Sequence, residues 1–143
     1  MKKKIAIFLF AFTALFCFAP NAQTRNASYR IGDIGPGGGI IFYIDGNKRY
    51  EASEVFVAVK WHAAINMCEK YRANGYDDWY LPTKYELNLI YQNLRKTGKI
   101  SGHSSYWSSS QKDEKAWLQS FSNGSQSLSY KELCYPLWAV RVF

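Results

Sequence analysis

Residues 77–94, DDWYLPTKYELNLIYQNL, contain a helix whose start is written into the chain. Thr83 and Glu86 have the Thr-x-x-Glu spacing in which each side chain satisfies a backbone N–H at the other's position. Pro82 holds Leu81 extended just before that start. Leu87, Ile90, Tyr91 and Leu94 then recur at helical spacing and form one buried stripe, and Gly98 is the predicted stop. A helix placed so firmly in mid-chain obliges the strand-like segments on both sides to pack against it.

Upstream, Ile40 to Ile44 is a run of β-branched and aromatic residues, followed by the turn Asp45-Gly46-Asn47 and a return through Lys48 to Glu51. A further short strand is predicted over Val55 to Val59. Trp61, Ile65, Cys68 and Tyr71 share one face of a first helix, with Asn74-Gly75 as its left-handed stop. Downstream, Asn123-Gly124 joins Ala116–Ser122 to Ser125–Tyr130 as a hairpin, and Leu137 to Phe143 reads as a closing core strand. Strands, two helices and strands again predict an α+β domain with the helices beside an antiparallel sheet.

The N-terminus bears on compartment. Lys2, Lys3 and Lys4 precede a 14-residue apolar run, Ile5 to Phe18, which ends in Ala19-Pro20-Asn21-Ala22. The run is short of the roughly 20 residues that span a bilayer, so residues 1–22 read as a cleavable secretory signal. Residues 23–28 are then a polar leader and 29–143 one domain. The expected location is periplasmic, cell-surface or secreted, with no stable membrane span after cleavage. Removing residues 1–22 takes three lysines and no acid, leaving 15 basic and 11 acidic residues, a balance of +4. That suits an anionic glycan or envelope and is no nucleic-acid footprint.

Cleavage would leave two cysteines, Cys68 and Cys134, and an oxidising compartment makes a bridge between them the expectation. Closing a loop of 67 residues would stabilise the fold by roughly 4 kcal/mol. Two buried free thiols are the alternative.

Most of the chain's chemical motifs dissolve on inspection. Gly35-Pro36-Gly37-Gly38-Gly39 lacks the Lys-Ser/Thr of a phosphate loop and leads into a strand rather than a helix. Asp77 and Asp78, adjacent in an extended segment, point to opposite faces and make a poor acid/base pair. Calcium would need six to eight oxygens, more than these two acids and Asn74 readily supply. The expectation is therefore no metal and no cofactor, with an Asp accepting loop N–H bonds before Trp79 enters the core. His62 and His103 lack a zinc-like neighbour set, and Ser108-Ser109-Ser110 lacks a nucleophile elbow.

The aromatic load, 17% of the chain, is more informative, because between residues 104 and 138 it is interleaved with Ser, Asn and Gln. Tyr and Trp provide stiff contact area and the small polar residues adaptable hydrogen bonds, the mixture that recognition surfaces use. Trp61, Trp79, Trp107 and Trp138 are assigned to the core. The candidate ligand-binding residues are Tyr106, Gln119, Asn123, Gln126 and Tyr130, with Lys112 and Lys115 for acidic groups. Trp117 and Lys131 are further candidates.

Taken in order, GPGGGIIFYID, the Trp61 helix with Cys68, DDWYLPTKYELNLIYQN, YWSSS, AWLQSFSNGSQ and the ending AVRVF resemble one family over residues 29–143. It is the domain found at the C-terminus of the Legionella collagen-like adhesin. That resemblance implies a C-type-lectin-like fold, shared with the sulfatase-modifying factors, in which the N- and C-terminal strands pair and a bridge ties the first helix to the end of the sheet. Cys68 and Cys134 sit where that bridge would. The redox cysteine pair of the sulfatase-modifying enzymes is absent near the C-terminus, where only Cys134 stands, and so are the calcium-lectin motifs Glu-Pro-Asn, Gln-Pro-Asp and Trp-Asn-Asp. The resulting expectation is an exported, non-enzymatic recognition or adhesion module for a glycan, acidic polysaccharide among the options, or for a protein at the cell envelope. An enzyme remnant related to the sulfatase-modifying factors and a structural envelope domain are the alternatives.

Overall fold

The structure, a computed structural model, describes residues 28–143. The signal segment 1–22 and all of the leader 23–28 but Ser28 lie outside the described residues. Its elements are β1 (Ile40–Asp45), β2 (Lys48–Val59), α1 (Trp61–Lys70), α2 (Lys84–Ile90), β3 (Ser105–Lys112), β4 (Lys115–Ser120), β5 (Gln126–Tyr130) and β6 (Tyr135–Val142). Two antiparallel sheets result, one ordered β1-β2-β6 and the other β3-β4-β5. The class is α+β as expected. Among the described residues no helix is long and apolar enough to cross a membrane.

The capping box forms: the Thr83 hydroxyl accepts from the Glu86 N–H at 3.2 Å, and the Glu86 carboxylate accepts from the Thr83 N–H at 2.8 Å. Past Ile90 the helix widens into a π-helical turn, Tyr91–Arg95. It closes where Gly98, at φ +76°, turns left-handed; the Lys99 N–H returns to the Leu94 carbonyl and the Gly98 N–H to that of Arg95, a Schellman closure.

Three segments differ from the sequence reading. Lys48–Glu51 and Val55–Val59 are one twelve-residue strand, because β6 pairs continuously with Tyr50 through Val55 and so bridges the gap. Helix α1 ends at Lys70 with Tyr71 extended, and Asn74-Gly75 instead forms a tight reversal between Ala73 and Tyr76, both residues at positive φ. The closing strand pairs with β2, not with the first strand β1, which lies on the far side of β2. The outer edge of β1 is taken at Ile41 by the Gly32 N–H and the Asp33 carbonyl, which leaves the returning strand β2 to pair with β6. The ends of the domain still meet, since the Tyr29 and Phe143 rings stand edge to face at 5.4 Å.

Strand β6 organises the core because both its faces are buried. Leu137 and Ala139 join a cluster with Trp61, Cys68 and Trp107, while Trp138 and Val140 join one with Phe42, Leu87 and Phe121. Period-two alternation thus lets one strand supply two hydrophobic layers, α1 covering one and α2 the other. Trp61, Trp79, Trp107 and Trp138 are all buried, as assigned. The Trp61 indole donates to the Ser108 carbonyl and the Trp107 indole to that of Val59, pinning β3 to the α1 end of β2.

The glycine cluster wraps an ion pair. Glu51 and Arg141 face each other across β2 and β6, both essentially inaccessible, and their side chains meet at 2.6 Å. The Glu51 carboxylate also accepts from the N–H groups of Gly37 and Gly39, at 2.9 and 3.0 Å. A Cβ on Gly37 would lie 2.6 Å from Glu51 Oε1 and 2.7 Å from the Trp79 ring. The loop is glycine-rich so that its backbone can close on a carboxylate. We expect Arg141→Met to cost about 3–5 kcal/mol in chemical denaturation, because Glu51 is left buried without its partner. Gly37→Ala should cost about 1–3 kcal/mol through overpacking alone, with the m-value unchanged.

Candidate functional site

The seven residues assigned to recognition separate into two groups at opposite ends of the β3-β4-β5 sheet, one turned largely inward except for the exposed Asn123, the other facing solvent. At the hairpin end the polar side chains are spent internally. Gln119 is fully buried, donating to the Gly124 carbonyl at 2.7 Å and the Asn88 side chain at 3.3 Å. Gln126 donates to the Lys84 carbonyl and to Gln119 Oε1, fastening β5 to the start of α2. Asn123 Oδ1 accepts from the Ser125 N–H and shapes the turn. Tyr106 is buried against Phe121 and Trp138, with its hydroxyl donating to Glu54. Burial together with the carboxylate acceptor raises its phenol pKa, so it stays protonated. Tyr106 and Gln119 are thus buried and Gln126 half-buried, with polar atoms committed to internal hydrogen bonds, while Asn123 stays exposed at the turn. Sequence alone could not show this, because a Gln that bonds to a loop carbonyl and one that bonds to a ligand are spelled the same way.

At the other end Lys112, Lys115 and Tyr130 line one shallow depression of about 340 Å³ with Asp113, Glu114 and Leu128. The two-residue turn Asp113-Glu114, with Asp113 at φ +52°, brings Lys112 opposite Lys115. Pairing of β4 with β5 sets Lys115 opposite Tyr130, and the Lys115 ammonium lies 4.4 Å from the centre of that ring. One cross-strand step further, Trp117 is opposite Leu128 and partly exposed, and Lys84 of α2 lies over its indole at 3.5 Å. The outer face of the small sheet thus carries two aromatic rings, each with a lysine above it, and Lys112 beside them. Each contact contributes about 0.5–1 kcal/mol at such an exposed site. Lys84 and Leu128 were not among the sequence candidates. Lys84 comes from another element, and only the packing of α2 on β4 brings it over Trp117. Lys131 is set slightly apart, held by Gln111 and the Asp113 carbonyl with its ammonium over Trp61.

Asp78 is held chiefly by a side chain, with its own backbone N–H the lesser partner from the loop. Its two oxygens take Nε and Nη2 of Arg141, at 2.7 and 3.2 Å. The guanidinium that binds it also lies 3.8 Å from the centre of the Tyr76 ring and binds Glu51. Among the described residues no group of three or more His, Cys, Asp and Glu side chains stands close enough to hold a metal ion.

The expected Cys68–Cys134 bridge is not formed: both are free thiols. Cys68 is buried on α1 with its S–H toward the Trp138 carbonyl at 3.7 Å, and Cys134 is exposed in the turn before β6. Cys134 is four chain steps from Trp138, roughly 13 Å of extended chain, which puts Cys68 beyond the reach of a bridge. Burial pushes the Cys68 thiol up to about 12, which removes it as a nucleophile at neutral pH.

With this geometry in hand, the family is shown. The chain belongs to the family of the Lcl C-terminal domain, whose model matches residues 43–141. No curated protein matched the chain. Among solved structures it is similar to the crystal structure of botrocetin, at 11% identity over 76% of this chain and 98% of that one, with a TM-score of 0.48.

Two outcomes follow from these side chains. In the folded protein a thiol-alkylating reagent should modify Cys134 and leave Cys68 unmodified until denaturant is added, as read by intact mass. The Arg141 hydrogen bonds hold Asp78 below its ordinary carboxylate value, so this group contributes stability above about pH 4 that is lost as pH falls through its depressed native value. Asp78→Asn should accordingly flatten the acid side of the stability–pH curve.

Proposed function

We propose that this member of the Lcl C-terminal domain family is an exported, non-enzymatic recognition module of the C-type-lectin-like kind that binds an acidic glycan. The binding face is the outer surface of the β3-β4-β5 sheet. The observation that carries the reading is the pairing of Lys115 with Tyr130 and of Lys84 with Trp117 on that face, beside Lys112. The ammonium groups held over the Trp117 and Tyr130 rings offer positive charge to carboxylate or sulfate substituents, and a sugar's C–H face can take the place of a lysine on either ring as that lysine turns to the acid. A shallow, open site of this kind suits a chain that runs across it rather than a small molecule enclosed by it.

Export follows from reading residues 1–22 as a signal and places the domain in the periplasm, at the cell surface or outside the cell. The reading needs no calcium, because the lysines already supply positive charge for an acidic ligand. An enzymatic reading would need a reactive thiol or an acid/base pair in a closed pocket. The buried, protonated Cys68 offers no such thiol, and the basic-aromatic face is open.

A glycan array probed with the mature protein, with and without EDTA, tests this. Binding should concentrate on sulfated or uronic acid polymers, survive EDTA and weaken with added salt, as surface charge contacts do. Tyr130→Ala and the pair Lys112→Glu with Lys115→Glu should each lower affinity about tenfold or more, with thermal stability little changed. Absence of binding to every acidic glycan, or binding indifferent to these substitutions, would sink the proposal.

A further inference from the structure

The depression that holds Lys112, Lys115 and Tyr130 does not end at the tyrosine. A second hollow of about 450 Å³ adjoins it, lined by His62, Asp113, Glu114, Tyr130, Lys131 and Glu132. Asp113, Glu114 and Tyr130 border both, so the two make one surface groove that rounds the β3–β4 turn. In the other direction along β4 the face is closed. Gln119 and Gln126 come next after Trp117 and Leu128 by strand alternation, and their amides donate to the Gly124 carbonyl and to that of Lys84 at the start of α2. The continuation left to a bound chain along the strands is the one past Tyr130. Charge changes sign on that path. Before Tyr130 stand the ammonium groups of Lys84, Lys112 and Lys115. Beyond it three carboxylates line the hollow with one ammonium and the His62 imidazole. That ammonium, of Lys131, is bonded to Gln111 and to the Asp113 carbonyl, and Glu132 is paired with Lys60. Asp113 and Glu114 are exposed, and among the described residues neither forms an ion pair.

Resting on the glycan reading of this face, we propose that the groove selects among acidic polysaccharides by the spacing of their charges. The acidic unit held at Lys112 and Lys115 is followed, past Tyr130, by an uncharged one. Asp113 and Glu114 are the specificity-determining residues. Each adjoins one of the two lysines in sequence, inside the roughly 8 Å over which exposed charges are screened at physiological salt. Their repulsion therefore reaches the sugar unit next to the one that the lysines hold. A carboxylate or sulfate on that unit is rejected, while the hydroxyl groups of a neutral sugar can donate to the same two carboxylates. The ligand class is a polymer in which acidic and neutral sugars alternate, rather than one with an acid on every unit. Asn tolerates the left-handed backbone that Asp113 adopts at φ +52°, so Asp113→Asn removes the charge without straining the turn.

Two polymers matched in chain length and titrated at one salt concentration test this. In hyaluronan glucuronate alternates with uncharged N-acetylglucosamine, whereas polyglucuronate has a carboxylate on every unit. By calorimetry the mature protein should bind hyaluronan about tenfold more tightly, although charge density alone favours polyglucuronate. Asp113→Asn combined with Glu114→Gln should raise affinity for polyglucuronate about tenfold and change that for hyaluronan less than about twofold, with the thermal midpoint unchanged. A preference of the unsubstituted protein for polyglucuronate overturns the proposal. So does an equal gain for both polymers in the double variant, which marks a general change of field rather than selection. Binding of both polymers without preference, abolished by Lys112→Glu with Lys115→Glu, overturns this proposal and leaves the glycan face standing. If neither polymer binds, the proposal falls, and the glycan array decides the wider reading separately.

Discussion

The buried Glu51–Arg141 pair, with Asp78 as the guanidinium's second acceptor, is the contact on which the rest of the domain converges. Two charges taken out of water cost several kcal/mol each, so they persist only where every remaining donor and acceptor is met. Here Arg141 gives N–H groups to both acids while Glu51 takes two more from the glycine loop. Four distant parts of the chain are thereby locked to one point: the loop 35–39, the middle of β2, the approach to α2 and the end of β6. Replacing the pair with apolar residues could preserve stability, but it would release the loop and the Asp78 segment from their positions.

Around that point the aromatic residues sort by what lies behind them. Trp61, Trp107 and Trp138 fill the two layers on either side of β6, and Tyr106 joins them because its hydroxyl finds Glu54 in the interior. Trp117 and Tyr130 have a sheet behind them and only lysines in front. The same composition thus makes a core and a recognition face. The division follows the pleat: Trp117 and its cross-strand neighbours on β4 and β5 point outward, whereas Ala116 and Leu118 point in.

Much of the fold was legible because it rests on local chemistry. The Thr83–Glu86 box, the Gly98 stop and the α2 stripe up to Ile90 are interactions among residues a few positions apart and stand as read; Asn123-Gly124 does lie in a hairpin, but its strands stop at Ser120 and resume at Gln126, so the loop is five residues rather than two. Asn74-Gly75 shows the limit of that reasoning: its left-handed preference was correctly placed, but whether it caps a helix or closes a tight turn depended on Tyr71 becoming extended to pack on Trp79. The candidate site was legible in part. Lys112, Lys115 and Tyr130 meet through adjacent strands, while Gln119 and Gln126 were drawn inward by carbonyl groups of a turn and of α2.

By itself, then, the sequence determined the α+β class, the capped helix, the hairpins and the family, because each is carried by short-range spacing. Tertiary structure alone decided three things: that the glycine cluster and Asp78 are parts of one ion cluster, that Cys68 and Cys134 remain apart, and which aromatics are left outside. Each depends on pairing β6 with β2, a contact between residues 90 positions apart at Glu51 and Arg141. No local pattern specifies which strand a closing segment will join. That choice belongs to the whole core, since only one arrangement buries both faces of β6 and leaves its single arginine opposite the one glutamate that the glycine loop can enclose.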